Sequence, residues 1–402
     1  MANCCPMTPT GRLLRPLFIM ATVIIAACGS PVRLSGEVVD AGTANFEPDS
    51  GAGESGPDAG VVGVPDGGLG WDGGSGSADG GGAPDAGTLA GLTPCDAPKG
   101  AYVFSIKDLG KHSVIVMNDN GTALGLFESN PDLGPRPSVL DTRTMQRRDL
   151  GTQVYDWPLG LSQDGTVVGE YVLPHDPFSG GPGGSSSFSS APDGTWRDLN
   201  QLMGHTGGDV LGITDDGTIV GNDVYAFLYR DGATRFLADV PGGYHLVVTA
   251  VGRAGDLGLL SDSGLPVLYH AGKLIPLQGV QTHAIMKAVN AHGASAGYSA
   301  QELFEGRGRT AMIWSPTGEL VLDMGALFPG LSSVAASIND VGDVVGEVAG
   351  RAFLYRAGAV HYLDDDLPPA IRLIAGSAIN DWGQIAVDGT CAGERHSLLL
   401  SP

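Results

Sequence analysis

From Cys95 to Pro402 the chain is written in short runs of alternating apolar and polar residues, broken by glycine turns. The alternation has the period of two expected of half-buried strands, and no segment carries an apolar stripe at helical spacing. One arrangement recurs. An apolar strand meets a polar corner with glycine, and a second strand starts at once, as in "INDVGDVVGE" at Ile338–Glu347, "ITDDGTIVGN" at Ile213–Asn222, "LSQDGTVVGE" at Leu161–Glu170 and "VMNDNGTALG" at Val116–Gly125. Asn and Asp stabilise such a corner with their side chains, and glycine takes the left-handed conformation it requires.

Aligned on the corner glycine, the copies fall at Gly121, Gly165, Gly217, Gly255, Gly293, Gly342 and Gly383, a mean period near 44 residues. A third strand follows, such as "RAFLYR" at Arg351–Arg356 or "YAFLYR" at Tyr225–Arg230, then a second glycine turn and a fourth strand. Four strands at this period make the blade of a β-propeller. The glycine inside strand two (Gly169, Gly221) implies a crowded place where backbones approach closely. The ends do not hold whole blades: "AYVFSIKDLG" at Ala101–Gly110 is one strand, and the chain closes on three. The pattern therefore predicts an all-β fold, a seven-bladed propeller of four-stranded antiparallel blades. The N-terminal strand joins the C-terminal blade and so hides two sheet edges.

The segment "AASINDVGDVVGEVAGRAFLYRAGAVHYL" resembles the HAF-type extracellular repeats, named for a His-Ala-Phe that opens strand three. Here the triplet reads Tyr225-Ala226-Phe227 and Arg351-Ala352-Phe353, and the copies at "AVGRAGDLGLL" and "AVNAHGASAGY" are degraded. The resemblance covers nearly all of 95–402. It implies a secreted or envelope-bound bacterial protein of largely unknown function, and it carries no catalytic motif.

Composition changes abruptly before the repeats. Residues 1–27 hold Arg12 and Arg15 followed by an apolar run too short to span a bilayer, which fits an export signal. The run ends in Ile25-Ala26-Ala27-Cys28, similar to the lipobox of bacterial lipoproteins, in which the cysteine receives a diacylglyceryl group. Cys28 is the expected lipidation site. Residue 29 is Gly rather than Asp, which by analogy with enteric sorting points to the outer membrane. From 28 to 94 the chain is rich in Gly, Ser, Pro and Asp, with ten acidic residues and one Arg after Cys28. Such a segment is expected to be a disordered tether with a reach on the order of 45 Å. Two cysteines remain, Cys95 before the opening strand and Cys391 in the closing blade. In an oxidising envelope they are expected to form a disulfide that staples the ring.

A formal net charge of −22 and the lack of any basic stripe exclude nucleic acid as a partner class. The lipid is left as the contact with the membrane. No nucleophile elbow, zinc-protease, phosphate-binding or dinucleotide motif occurs between 95 and 402. The Asp-rich corners run straight into apolar strands, so they read as turns and not as calcium loops. No metal or cofactor is expected, and nothing in the repeats asks for more than a monomeric ring.

Length varies in the connections between strands two and three, which share a face with the links between blades. Insertions gathered on one face of a repeat ring mark a binding face. That face is expected to carry Tyr155, Trp157, His175, Phe178, His205, Tyr244, His245, Phe304, Arg307 and Phe328. Aromatic and Arg anchors suit a protein or glycan ligand. The functional expectation is a non-catalytic binding or scaffolding module. The alternative is a carbohydrate lyase or hydrolase, which needs two carboxylates, or a His and a carboxylate, meeting at the mouth.

Overall fold

The computed structural model describes residues 104–128, 135–150, 156–172, 185–203, 209–240, 242–243, 245–280, 283–300, 308–365 and 367–402. These form seven four-stranded antiparallel sheets. Six are simple meanders, such as Ser333–Ile338, Val344–Val348, Arg351–Arg356 and Ala359–Tyr362 in blade six. In blade seven the outer strand is Ser105–Gly110, paired antiparallel with Glu394–Ser401 beside Ile385–Cys391 and Ile371–Ile379. The predicted seven-bladed propeller is the fold. Three short helical turns, Leu199–Met203, Leu237–Asp239 and Met324–Leu327, interrupt the links between blades. The repeat pattern gave no hint of them, because each is barely one turn long.

First strands of successive blades touch one another all the way round, blade seven against blade one included. They are the wall of the axis. Apolar side chains fill the space between sheets, and strand-three aromatics Phe188, Phe227 and Phe353 are almost wholly buried. Each pairs across the sheet with a strand-two glycine, Gly169, Gly221 or Gly346. The crowding inferred from the sequence is real. A Cβ on Gly346 would stand 2.0 Å from the Val334 carbonyl oxygen and 2.9 Å from the Phe353 ring. The missing side chain is what lets the phenyl ring lie over the backbone.

All seven corner glycines have positive φ, between 73° at Gly383 and 93° at Gly255. The Asn that opens a corner does two jobs. In blade six the Asn339 side-chain oxygen accepts from Asp343 N–H at 2.8 Å and closes its own turn. Its amide donates to the Asn380 carbonyl of blade seven at 3.1 Å. Asn118, Asn290 and Asn380 repeat the clip onto Ser162, Asn339 and Asn118 carbonyls at 3.0, 3.0 and 3.3 Å. Where Ser162 and Thr214 replace Asn, the hydroxyl still closes the turn, and no clip to the next blade is made among the described residues. The Asn-Asp corner is therefore a fastener between blades as well as a turn.

Each first strand also carries a bulge three residues before its corner opens, and the blade-seven strand has a second one nearer its start. The residue just before the bulge is buried in all seven blades, whereas the bulged residue is not. Since both flanks of an inner strand are covered by neighbouring blades, the solvent it meets is that of the axis.

Candidate functional site

The two ends of the axis differ in construction. At the corner end, the residues following the corner Asn stand in a circle: Asp119, Gln163, Asp215, Arg253, Ala291, Asp340 and Asp381. One carboxylate oxygen of each Asp accepts from the backbone N–H of the preceding corner. Asp381 N–H donates to Asp119 at 2.8 Å, Asp340 N–H to Asp381 at 2.7 Å, Ala291 N–H to Asp340 at 2.7 Å and Gln163 N–H to Asp215 at 3.1 Å. Arg253 comes from the degraded corner of blade four. Its guanidinium crosses to blades six, seven and one, where it pairs with Asp340 at 3.2 Å, Asp381 at 2.8 Å and Asp119. One cation thus bars the axis and offsets the carboxylates that the repeat brings together.

The electrostatics follow from this arrangement. Burial opposes the charge on Arg253, but Asp381 and Asp119 outweigh it and raise the guanidinium pKa. Burial likewise acts against the Asp381 carboxylate, and the Asp340 N–H and Arg253 more than compensate, so its pKa is lowered. Asp215 faces Arg253 less directly. Burial raises its pKa, Arg253 opposes, and the charges of Asp119 and Asp340 add to the rise. The Asp-rich corners, read from sequence as turns, are also the charged floor of the axis. Among the described residues no group of three His, Cys, Asp or Glu is placed to hold a metal ion.

The opposite end carries the links between blades and the connections between strands two and three, the expected binding face. Trp157 lies there on the first strand of blade two, 37% exposed, and pairs across the sheet with Glu170. His245 is exposed at the entry to blade four, 3.7 Å from Asp262 and 6.4 Å from the Tyr225 ring. Phe328 is half-buried, its ring 6.3 Å from that of Tyr362, so it packs the rim more than it presents an anchor. These three sit at different junctions of the ring and do not meet. Tyr155, His175, Phe178, His205, Tyr244, Phe304 and Arg307 lie outside the described residues. So do Cys28 and Cys95. Cys391 ends the second strand of blade seven and is buried.

His245 and His283 both touch the Ser261–Leu265 turn, at Asp262 and Gly264. The His283 Nδ1 is enclosed there without a hydrogen-bond partner among the described residues. This is packing under a turn, with no converging imidazole pair.

Two ionisable groupings on this face were not read from the sequence. The first is acidic. Glu170 near the end of strand two in blade two faces Asp209 at the start of blade three, and Asp209 in turn feels Asp223. Burial and then the Asp209 charge push Glu170 up to about 7, while burial and Asp223 raise Asp209. Such a group exchanges its proton near neutrality. The second is basic. Lys287 is the bulged residue of blade five, and Arg309 enters strand three of the same blade with its guanidinium 5.1 Å from the centre of the buried Tyr298 ring. The protein packed around its exposed side chain, and then the Arg309 charge, lower the Lys287 pKa. A third titratable group, Asp388 of blade seven, is pushed by burial to about 6 against the opposing Ser397 hydrogen bond and Arg395 charge.

Sequence spacing could not place these groups, since partners come from different blades. A cleft of about 230 Å³ between the outer strands of blades two and three, lined by Arg197, Tyr229 and Arg230 among others, lies away from both groupings.

Compared with family models and with curated proteins, the chain has no match. Among solved structures it is similar to a streptogramin B lyase, at 12% identity and a TM-score of 0.47 over 74% of this chain and 98% of that one. It is similar also to the virginiamycin B lyase from Staphylococcus aureus, at 11% identity and 0.46 over 74% and 99%. The β-propeller domain of the Trilobed protease from Pyrococcus furiosus aligns at 10% and 0.42 over 73% and 95%. The chain is a seven-bladed β-propeller with one end of its axis barred by Arg253.

Proposed function

We propose that this is a lipid-anchored protein of the cell envelope that displays its propeller as a non-catalytic binding or scaffolding module for a protein or glycan. The observation that carries the reading is the asymmetry of the axis. Arg253 ties four blades together at the corner end, and the other end carries exposed Trp157 beside a carboxylate group. A ligand therefore has one end to approach, and Trp157 supplies the flat apolar surface on which a sugar or an aromatic side chain packs. In this reading Cys28 holds the lipid, 29–94 is the tether, and Cys95 pairs with Cys391 to staple the ring. Cys28→Ala is expected to move the protein to the soluble envelope fraction, because each buried CH₂ of an acyl chain contributes about 0.8 kcal/mol.

The test is a screen of envelope glycans and envelope proteins against the full chain and its Trp157→Ala variant. Binding that falls at least tenfold in the variant, with the ligand released chemically unchanged, supports the reading. Binding that the variant leaves untouched removes the mouth as the site.

The Glu170 and Asp209 pair favours a second reading, a carbohydrate lyase or hydrolase. A carboxyl with a pKa of about 7 suits general acid or base work at neutral pH. In that case the same screen yields cleaved glycan, and Glu170→Gln abolishes cleavage while binding persists.

A further inference from the structure

The interfaces between blades follow one plan with one exception. In strand three, the residue opposite the third position after the corner glycine points an aliphatic side chain at the next blade. It is Val139, Leu228, Leu268, Ile313, Leu354 or Leu399 in blades one and three to seven. Each packs with apolar residues of the blade that follows. Blade two has Ser189 there, opposite Val168. The core between blades two and three therefore takes Val168 and Leu199 from blade two and no side chain from its third strand.

The cleft of about 230 Å³ lies at that gap. Ser189, Leu199 and Ile219 line it, together with the half-buried Tyr229 and with Leu202, which is 51% exposed. Close-packed interiors leave few such spaces, and the apolar walls of this one lack the contacts that the absent side chain would make.

The polar part of the lining sets the kind of molecule that completes it. Arg197, Arg230 and Asp231 border the cleft, and Arg230 pairs with Asp216 and, at 3.5 Å, with Asp231. Two guanidinium groups and two carboxylates balance in charge, so neither an anion nor a cation has the advantage. Guanidinium groups only donate hydrogen bonds, carboxylates only accept them, and the Ser189 hydroxyl does both. A matching ligand is uncharged, both donates and accepts, and presents an apolar side to Leu199, Ile219 and Tyr229. Sites for drug-sized molecules run from about 300 to 1,000 Å³, so this one takes a single ring. A pyranose meets each requirement.

We propose that the cleft between blades two and three holds one pyranose ring, its less polar face on Tyr229 and Ile219 and its hydroxyls on Arg197, Asp231 and Ser189. This goes beyond the binding reading of the mouth and stands or falls separately from it, since Trp157 lies on the inner strand of blade two and takes no part.

Saturation-transfer NMR on the full chain tests it, with the methyl glycosides of glucose, galactose, mannose and N-acetylglucosamine as probes. Cyclohexanol, an apolar ring with one hydroxyl, and benzoate are the controls. At least one glycoside is expected to give a saturable signal, and both controls are expected to bind at least tenfold more weakly. Ser189→Leu supplies the side chain that the other blades carry. It is expected to abolish the glycoside signal and to raise the thermal midpoint, because the gap is filled. Arg197→Met and Leu202→Asp, both at exposed positions, are expected to weaken binding at least tenfold with the midpoint unchanged, and they decide alone if Ser189→Leu does not fold. Trp157→Ala is expected to leave this signal as it is. No saturable glycoside signal, cyclohexanol or benzoate binding as strongly, or a signal unchanged in both Arg197→Met and Leu202→Asp would each overturn the proposal. So would a signal that Trp157→Ala removes and Ser189→Leu keeps, which belongs to the mouth.

Discussion

Glu170 shows how a single residue can set the response of the molecule to pH. Its folded pKa of about 7 lies above the ordinary 4.5 because burial and Asp209 disfavour the charge. A raised folded pKa means that the folded state holds the proton more tightly. Stability from this group is therefore complete below about pH 4.5 and is lost as pH rises through 7. Replacing it by Gln removes the cost of the buried charge. Glu170→Gln is expected to match the parent at pH 4 and to exceed its stability at pH 8 by about 2 kcal/mol, allowing for partial exposure. Denaturant melts at the two pH values decide it, and equal stabilities at pH 8 would show that the carboxylate is not desolvated. Arg253 works in the opposite sense. Arg253→Met strands Asp119, Asp340 and Asp381 around one point and is expected to lose about 3 kcal/mol at pH 7. Less should be lost as pH falls through the lowered folded-state pKa of Asp381, because protonation removes the charge that Arg253 compensates. A pH-independent loss would assign Arg253 to packing alone.

At the level of the blade, the corner motif explains both what the sequence revealed and what it concealed. Asn-Asp-x-Gly repeats because one turn recurs seven times, and its glycines require positive φ. Local chemistry of that kind survives in a one-dimensional pattern, so strands, turns and blade count were legible. The clip from Asn339 to the next blade and the reach of Arg253 to Asp119, 134 residues away in sequence, join different repeats. The same holds for Glu170 with Asp209. Period-two patterning records which face of a strand is apolar and nothing about which blade lies opposite, so neither ionisable grouping was visible beforehand. Degradation of the repeat was the usable signal. The corner that lost Asn-Asp supplies Arg253, and the other degraded copy, blade five, supplies Lys287. The two jobs of Asn can be separated. Asn339→Ser keeps an acceptor for the Asp343 N–H but gives up the clip to Asn380, and is expected to lose about 1 kcal/mol; Asn339→Ala loses both and about 2 kcal/mol. Chemical denaturation measures each, and equal losses would mean that the clip contributes nothing.

For the molecule as a whole, the axis, its barred floor and its open mouth exist only if the two ends of the repeat region hold each other. Ser105–Gly110 is paired along its length with Ser397–Ser401, from Ser105 opposite Ser401 to Gly110 opposite Ser397. Leu398, Leu399 and Leu400 are buried behind that pairing. Losing three such side chains costs on the order of 10 kcal/mol, comparable with the whole stability of a typical fold. The direct measurement is equilibrium unfolding and sedimentation of the chain lacking residues 397–402, beside the intact protein. Loss of the cooperative transition, or association through the bared edges of Ile385–Cys391 and Ser105–Gly110, is the expected result. A monomer that unfolds with an unchanged midpoint and slope would contradict the closed ring.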